Sequence, residues 1–546
     1  MSWLSRLVGA WMELPPPETS EVLVERDLPV PMPDGIVLLA DRYLARTGSG
    51  QPTILVRSPY GRRGLYGLLN GRLFAERGFQ VVVQSCRGTY GSGGRFEPFR
   101  HELADGLATL DWLRAQDWFD GRLAMHGGSY LGLVQWAIAE AAAPELKAFS
   151  TSMTSAEFRS ITYPGESFWL ESALSWAVSV ETQERSALGV AAGILMPSSE
   201  LRAAFDHLPI GEADWVALGK ELPHWEDWIR HDRPGDPWWA ATDFSGRVGK
   251  VTAPDHVIGG WYDIFLPQTI RDFAALVAAG RRPYLTVGPW THTDPAIVRT
   301  SVPEALRWFR AHLLGEEAEL REAPVRVFVL GAREWRDLPS WPPPGVGPQR
   351  WHLHPSGRLA LDLPPESSPD RYRYDPSHPT PNVGGAGMGR STGPKDNRKL
   401  ESRADVLCYT TVPLEGDLEV MGPVSVELFV RSSLEHTDFF ARLCDVAPSG
   451  RSVNVSDALV RIVPGRPSPE RDGGLLVAIE LWPTACRFRR GHRIRLQVSS
   501  GAHPRWARNP GSGEPLAIAT TLRVAEQNVY HDPAHPSALI LSVAAG

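Results

Sequence analysis

The first half of the chain alternates between short apolar runs and amphipathic stretches. Residues 20–50 come first and alternate apolar with polar positions around the turn 31–35, which predicts an antiparallel hairpin. Continuous apolar runs then start at Thr53 and Gln80, and the segment 68–77 between them has helical spacing. Continuous apolar strands that alternate with helices predict a parallel sheet covered on both faces, which is the α/β class.

This alternation stops at about residue 151 and resumes at about residue 245. Phenylalanine and tryptophan occupy the apolar positions of helical segments between these points, for example at 168–178, so we expect a helical cap inserted into the sheet domain. Strand-like runs return at Asp255, and the run that starts at Val325 is predicted to be the last strand of the sheet.

The chain changes character after the proline-rich segment 339–345. The runs that follow are short, alternate apolar with polar residues, and are bounded by glycine, proline, aspartate or serine, which predicts a β-sandwich or jelly roll. The glycine-rich stretch 384–389 has neither the preceding strand nor the following helix of a nucleotide-binding loop, and we expect it to be a mobile loop.

These patterns divide the chain of 546 residues into three parts, as its length also suggests. We predict a sheet domain made of residues 1–150 and 245–345, a helical cap of residues 151–244, and a C-terminal all-β jelly roll of residues 346–546.

Composition and charge narrow the class of protein. Apolar residues make up 42% of the chain and charged residues 22%, as in an ordinary globular enzyme with a large core. The formal net charge of −7 argues against a nucleic-acid partner, which needs a basic face. No apolar run is long enough to span a bilayer, so no membrane partner is expected, and residues 1–13 predict a short amphipathic helix rather than a signal peptide.

The four cysteines stand apart from each other in the sequence. Cys86, Cys408, Cys444 and Cys486 form neither a Cys-x-x-Cys pair nor a cluster with histidine. This spacing argues against a disulfide framework and against a structural zinc site. We therefore expect a cytoplasmic protein that uses no metal or other cofactor.

The stretch 125–132, Met-His-Gly-Gly-Ser-Tyr-Leu-Gly, has the character of a nucleophile elbow. The order around it is helix, short strand, tight turn and helix, and a serine on such a turn has its hydroxyl exposed beside backbone N–H groups. Ser129 is therefore a candidate nucleophile. The usual second glycine, two residues after the serine, is Leu131, and glycine follows at Gly132. A plain strand-to-helix turn is the alternative.

A serine nucleophile needs a base and a carboxylate that orients the base, and in this fold they follow the serine in the order acid, histidine. Asp263 follows a predicted strand in the turn Gly-Trp-Tyr-Asp, and His292 follows the next one in Gly-Pro-Trp-Thr-His. Asp263 could instead cap the next helix, and His292 could be structural. Their joint order at strand ends favours the catalytic interpretation.

An oxyanion hole needs donors aimed at the developing negative charge. The backbone N–H of Tyr130, directly after the serine, is one candidate. The second should come from the loop after an early strand, where Arg57–Gly61 offers the hydroxyl of Tyr60. A buried core tyrosine is the alternative interpretation of Tyr60.

Together these motifs make the chain resemble the cocaine-esterase-like hydrolases, a group that includes X-Pro dipeptidyl-peptidases and α-amino-acid ester hydrolases. The motifs that carry the resemblance in the first part are Ser-Pro-Tyr-Gly at 58–61, Arg-Gly at 87–88, Gly-Ser-Gly-Gly at 91–94, Gly-Gly-Ser-Tyr-Leu-Gly at 127–132, Gly-Trp-Tyr-Asp at 260–263 and Gly-Pro-Trp-Thr-His at 288–292. Segments from 393 to 500 resemble its jelly-roll domain, so the similarity covers nearly the whole chain.

The resemblance implies an α/β-hydrolase domain with an inserted cap and a C-terminal jelly roll. It also implies roles for particular residues: Ser129 as nucleophile, His292 as base and Asp263 as the residue that orients it. Tyr60 and the Tyr130 amide would form the oxyanion hole. A last, weaker implication is that Phe265 and Trp169 line the acyl pocket.

The expected partner is a small-molecule ester or amide, and the substrate's far end distinguishes the candidate activities. A free α-ammonium needs carboxylates near the pocket, because an unpaired buried cation is costly. The cap contains four glutamates, which a solvated helix face also explains: Glu157, Glu166, Glu171 and Glu181. Its many aromatic residues favour a bulky or aromatic acyl group.

We therefore expect a serine carboxylic-ester hydrolase that works through an acyl-enzyme. An X-Pro dipeptidyl-peptidase or α-amino-acid ester hydrolase is the first alternative. An acyltransferase and a catalytically dead binding protein are the others, and a homodimer formed through β edges of the C-terminal domain is a further possibility.

Overall fold

A computed structural model describes residues 2–46, 50–185, 197–389, 391–468, 470 and 473–544 of the chain. Two large β-sheets dominate it, the first built within residues 22–338 and the second within residues 346–544. Part of the predicted cap, residues 186–196, lies outside the described residues.

The first sheet contains ten strands: β1 (Val22–Pro31), β2 (Val37–Ala45), β3 (Thr53–Ser58), β4 (Gln80–Ser85), β5 (Leu123–Gly128), β6 (Leu146–Ser152), β7 (Asp255–Tyr262), β8 (Tyr284–Thr291), β9 (Val325–Val329) and β10 (Glu334–Leu338). They lie in the order β1-β2-β4-β3-β5-β6-β7-β8-β9-β10. Every pair from β4 to β9 is parallel, and β1, β2 and β4 pair antiparallel. The predicted hairpin and parallel sheet are confirmed.

The prediction that the run at Val325 is the last strand of this sheet is wrong, because β10 follows it. β10 folds back antiparallel on β9 through a turn at Gly331, which has a φ of +75°. β10 reads Glu-Trp-Arg-Asp-Leu, and all but its last residue are exposed or half-buried. Such a charged edge strand is protected against pairing with other chains, but it has no apolar run by which the sequence could reveal it.

Helices cover the sheet and make up most of the chain segment that connects β6 to β7. The described α-helices are Ser2–Trp11, Gly64–Gly67, Leu73–Ala75, Glu102–Arg114, Tyr130–Ile138, Arg159–Thr162, Leu170–Thr182, Ser199–Asp206, Ala213–Leu218, Pro223–Arg230, Leu266–Ala278, Pro295–Leu314 and Arg398–Glu401. A π-helical turn, Leu68–Arg72, joins the second and third of these. Short 3₁₀ turns lie at Pro164–Glu166, Gln183–Arg185, Ile210–Glu212, Pro237–Thr242, Ser245–Lys250, Glu317–Glu319 and Pro355–Gly357.

The N-terminal helix Ser2–Trp11 lies on the surface of the protein. Ser5 Oγ donates to Glu76 Oε1 at 2.8 Å and Met12 is buried, while Trp3 and Leu7 face outward.

None of the described helices combines the length and the apolar character that a membrane crossing requires.

The second sheet contains eleven strands: β11 (Val346–His354), β12 (Arg358–Ala360), β13 (Asp370–Tyr374), β14 (Leu407–Thr410), β15 (Leu418–Ser432), β16 (Thr437–Val446), β17 (Ser452–Ile462), β18 (Leu475–Phe488), β19 (Arg493–Ser499), β20 (Ala525–Tyr530) and β21 (Ala538–Ala544). Of the described pairs, only β12 with β14 is parallel. The predicted β-rich C-terminal part is confirmed.

The two halves of the molecule share one hydrophobic core. Leu330 donates from its backbone N–H to Ala485 O at 2.8 Å, which joins the first sheet to the second. The buried ring of Trp169, from the helical segment, stacks on Trp506 at 5.5 Å and also contacts Trp482. The helical segment is thus held between the sheet that carries the site and the β-rich domain.

Candidate active site

Ser129 lies on a sharp turn between β5 and the helix Tyr130–Ile138. Its backbone has φ of 56° and ψ of −125°, a strained conformation for a residue with a side chain and one that exposes the hydroxyl above the sheet.

Glycines leave the space that this turn needs. A Cβ at Gly127 would lie 2.4 Å from Leu131 Cβ, and one at Gly132 would lie 2.4 Å from Thr154 Cγ2. Leucine therefore fits at position 131 because position 127 has no side chain. The glycine that the usual motif has at this point lies one residue later, where the helix passes Thr154.

Asp263 and His292 come together with Ser129 at one edge of the sheet. They follow β7, β8 and β5, and the carboxyl ends of parallel strands share an edge. His292 Nδ1 lies 2.7 Å from Asp263 Oδ1, and His292 Nε2 lies 3.1 Å from Ser129 Oγ. This geometry allows the serine proton to pass to the imidazole while the carboxylate holds the ring.

The Asp263 carboxylate is fully buried and uses both oxygens. Oδ2 accepts from Phe265 N at 3.2 Å, close to the start of the helix Leu266–Ala278, while Oδ1 faces His292. Phe265 occupies the N-cap position of that helix, which has no side-chain cap, so the capping interpretation of Asp263 is wrong. The contact of Oδ1 with His292 fits the orienting interpretation.

Tyr60 brings its hydroxyl to the same place from the loop after β3. Its oxygen accepts a hydrogen bond from Trp176 Nε1 at 3.0 Å. Burial raises the pKa of Tyr60 to about 12, against the opposing effect of its hydrogen bonds with Trp176 and Ser129. The phenol is therefore protonated at neutral pH and available as a donor.

Tyr130 offers its amide rather than its side chain. It is the first residue of its helix, where the backbone N–H has no intrahelical acceptor. Its phenol points away and donates to Glu102 Oε1 at 2.6 Å, and Glu102 in turn pairs with the buried Arg57 at 2.8 Å. This buried network fixes the position of the turn.

A cavity with a mostly apolar lining opens beside Ser129. The predicted pocket residues Phe265 and Trp169 both line it, and the Phe265 ring lies 5.2 Å from the His292 ring. Further apolar side chains in its wall were missed from the sequence: Phe99, Phe158, Trp176, Trp228 and Met388. The density of aromatic residues in the cap could have indicated three of these, but Phe99 and Met388 have no such signal.

A second cavity also reaches Ser129 and His292. Helix residues such as Leu65 and Val298 form its walls. Five residues line both cavities: Tyr60, Ser129, Trp176, His292 and Met388. The site therefore has two compartments that meet at the serine, as a substrate with a group on each side of the scissile bond requires.

The glycine-rich loop predicted to be mobile is instead packed against the site. Gly385 and Gly393 exchange two backbone hydrogen bonds, of 2.9 and 2.8 Å. Met388 is buried, and its carbonyl oxygen accepts from Thr293 Oγ1, next to His292, at 3.1 Å. The β-rich domain thus contributes directly to the candidate site.

None of the four cap glutamates lines the first cavity, which has no carboxylate among the described residues of its wall. Three are engaged by nearby cations: Glu157 by Arg271, Glu166 by Arg159, and Glu181 by Lys220. Burial raises the pKa of Glu171, which lies against the glycine-rich loop.

All four cysteines are free thiols, and the described residues contain no group of three His, Cys, Asp or Glu side chains that could hold a metal ion.

Comparison with known proteins gives matches over nearly the whole chain. The family model for X-Pro dipeptidyl-peptidase (S15 family) matches residues 34–294, and the model for the C-terminal non-catalytic domain of X-Pro dipeptidyl-peptidase matches residues 318–540. The chain is 33% identical to a cocaine esterase from Rhodococcus, across 95% of this chain and 98% of that one.

Two solved structures share the fold. An aminopeptidase from a marine sediment archaeon, Thaumarchaeota archaeon, matches with a TM-score of 0.81 at 22% identity, across 96% of this chain and 97% of its own. An α-amino acid ester hydrolase matches with the same TM-score, identity and coverage. At this identity the two matches establish the architecture alone.

Proposed function

The chain belongs to the family of serine hydrolases that includes cocaine esterase and the X-Pro dipeptidyl-peptidases, and from this we propose that it hydrolyses carboxylic esters through an acyl-enzyme on Ser129. The observation that carries the proposal is the hydrogen-bonded line from Ser129 Oγ through His292 to the buried Asp263. Ser129, at one end of this line, lies where the two cavities meet, so an ester can lie across the serine.

In the proposed mechanism, Ser129 Oγ attacks the ester carbonyl while His292 Nε2 takes its proton. Asp263 keeps the Nδ1 proton in place and stabilises the imidazolium that forms. The negative oxygen of the tetrahedral intermediate accepts from Tyr60 Oη and the Tyr130 amide. His292 then protonates the leaving alkoxide, and a water activated by His292 releases the acid.

We test the acyl-enzyme by intact-mass measurement after treatment with a small serine-directed phosphonate. One adduct per chain is expected on the wild type and none on Ser129→Ala, together with turnover of p-nitrophenyl esters by the wild type only. An absence of labelling in the folded wild type would reject the catalytic proposal and leave the binding-protein alternative. Adding an alcohol as acceptor and analysing the products separates hydrolysis from acyl transfer.

The first cavity predicts a preference for neutral aromatic acyl groups. Methyl phenylacetate and methyl phenylglycinate differ by a single α-ammonium group. In the first cavity this group would lie against aromatic rings, with no carboxylate among the described residues of the wall. We expect kcat/KM to be at least about tenfold higher for the phenylacetate, because burying an unpaired charge is costly.

The measurement is acid release in a pH-stat, with the hydrolysis of X-Pro anilides followed in parallel. Faster turnover of the phenylglycinate or of the anilides would contradict the ester assignment and favour the amino-group alternatives.

Tyr60→Phe is expected to lower kcat for esters by about 10²–10³-fold with little change in KM, because one oxyanion donor is lost. The neighbouring Tyr66, whose ring centre lies 5.5 Å from that of Tyr60, supplies the control. Tyr66→Phe removes the same atom from the wall of the second cavity and should change kcat by less than about threefold. Equal effects of the two substitutions would remove Tyr60 from the oxyanion hole.

A further inference from the structure

Trp176 makes a contact that the mechanism above does not use. Its indole Nε1 lies 3.0 Å from Tyr60 Oη, on the helix Leu170–Thr182 that passes over the site. Its ring stacks on those of Phe99, at 5.7 Å, and Tyr130, at 6.2 Å. The direction of the N–H group is therefore set by packing on rigid elements around the elbow.

The chemistry of the two groups fixes the polarity of this hydrogen bond. An indole N–H can only donate, so the Tyr60 oxygen must be the acceptor. The phenolic proton cannot point at Trp176 and has to be directed elsewhere. Among the described residues, the Ser129 hydroxyl also lies within hydrogen-bonding reach of this oxygen. A phenolic proton directed to that side faces the place where the oxyanion forms.

We propose that Trp176 is a positioning residue for the reaction: its indole N–H holds the Tyr60 hydroxyl with its proton aimed at the oxyanion. The inference rests on the proposed role of Tyr60 as an oxyanion donor. Trp176 itself touches the donor and transfers no proton.

The benefit of this arrangement lies in the transition state. A phenol that already accepts one hydrogen bond is a stronger donor in the next, because successive hydrogen bonds polarise each other. A hydroxyl that is already oriented also loses no rotational freedom as charge develops on the substrate oxygen. Interactions that strengthen only in the transition state raise kcat and leave KM unchanged.

The test is a double-substitution cycle on p-nitrophenyl ester turnover. Trp176→Phe keeps an aromatic ring and removes the N–H, and we expect it to lower kcat by about 5–10-fold, the usual worth of one hydrogen bond. In the Tyr60→Phe background the acceptor is gone, and the same substitution should change kcat by less than about twofold. Trp228→Phe, in the wall of the first cavity, reports the cost of a smaller ring alone.

A second variant at position 176 is the control for misfolding of Trp176→Phe. Incorporation of 3-benzothienylalanine at position 176 replaces the N–H by sulfur in a ring of nearly the same shape. We expect this protein to have the thermal stability of the wild type and the reduced kcat of Trp176→Phe.

The outcomes distinguish a wrong role for Trp176 from a wrong role for Tyr60. If loss of the N–H costs as much without the Tyr60 hydroxyl as with it, or lowers kcat no more than Trp228→Phe does, Trp176 is only a packing residue and the inference is wrong. If Tyr60→Phe itself leaves kcat unchanged while Ser129→Ala abolishes turnover, Tyr60 is not a donor. The inference then falls together with that assignment, while the acyl-enzyme proposal stands.

Discussion

Ser129→Ala is expected to lower kcat for p-nitrophenyl esters by about 10⁶-fold, the loss seen when the nucleophile of a serine triad is removed. The reason is that His292 Nε2 and Asp263 are already aligned on this one oxygen, and the described residues of neither cavity offer another hydroxyl bonded to the histidine. Water could still add to a bound ester, so a small residual rate from the oxyanion donors is expected.

The measurement compares kcat and thermal stability of the variant with those of a matched serine. Ser150 is buried on β6 next to the site strand and lies outside the described walls of both cavities. Ser150→Ala should retain at least half of the wild-type kcat. If Ser129→Ala retained turnover at a comparable level, the line of hydrogen bonds would be structural, and an acyl-enzyme on this residue would be excluded.

Some features of the site could be predicted because they are local in the sequence. Each of Ser129, Asp263 and His292 directly follows a strand, and the rule that parallel strands end at one edge brings them together without knowledge of any contact. The strand-to-helix turn at Ser129 is encoded by the glycines that precede it. The residue roles remain proposals, but the meeting of these side chains follows from their places in the chain.

Other features depend on contacts between distant segments. Met388 reaches both cavities from the β-rich domain, and the amphipathic patterns that predict strands give no information on where a glycine-rich loop will pack. The pairing of Trp176 with Tyr60 joins residues 116 positions apart. It depends on how the helix Leu170–Thr182 lies over the sheet, which is decided by tertiary packing.

The edge strand β10 could not be predicted from the sequence for a different reason. Its residues 334–338 are charged or polar at most positions because they face solvent at the border of the sheet. A prediction that depends on apolar runs therefore finds the buried strands and misses those that protect the edge. The inner strands of the sheet, which position the site, could be predicted for the opposite reason, because they are buried on both faces.

Asp263→Asn is expected to lower kcat by about 10⁴-fold while leaving the fold intact. The carboxylate has no exposed surface, and its Oδ1 lies 2.7 Å from His292 Nδ1. In the variant, the carboxamide oxygen can still accept from Phe265 N, which leaves the NH₂ group facing His292. That group can only donate, so Nδ1 must accept, and the proton moves to Nε2, where it blocks uptake of the serine proton.

The loss of activity in Asp263→Asn is expected to come from the changed tautomer of His292 and not from the loss of charge alone. A buried carboxylate on the following helix, Asp272, accepts from Ala156 N at 2.8 Å and pairs with Arg271 at 3.2 Å. Within the described part of the chain it makes no hydrogen bond to His292. Asp272→Asn should therefore leave kcat within about threefold, although it also replaces a buried acid by an amide. In Asp263→Asn, phosphonate labelling of Ser129 should still reach one adduct per chain, but far more slowly. A variant with less than tenfold loss would show that Asp263 only braces the loop, because a neutral group in the same place would then serve equally well.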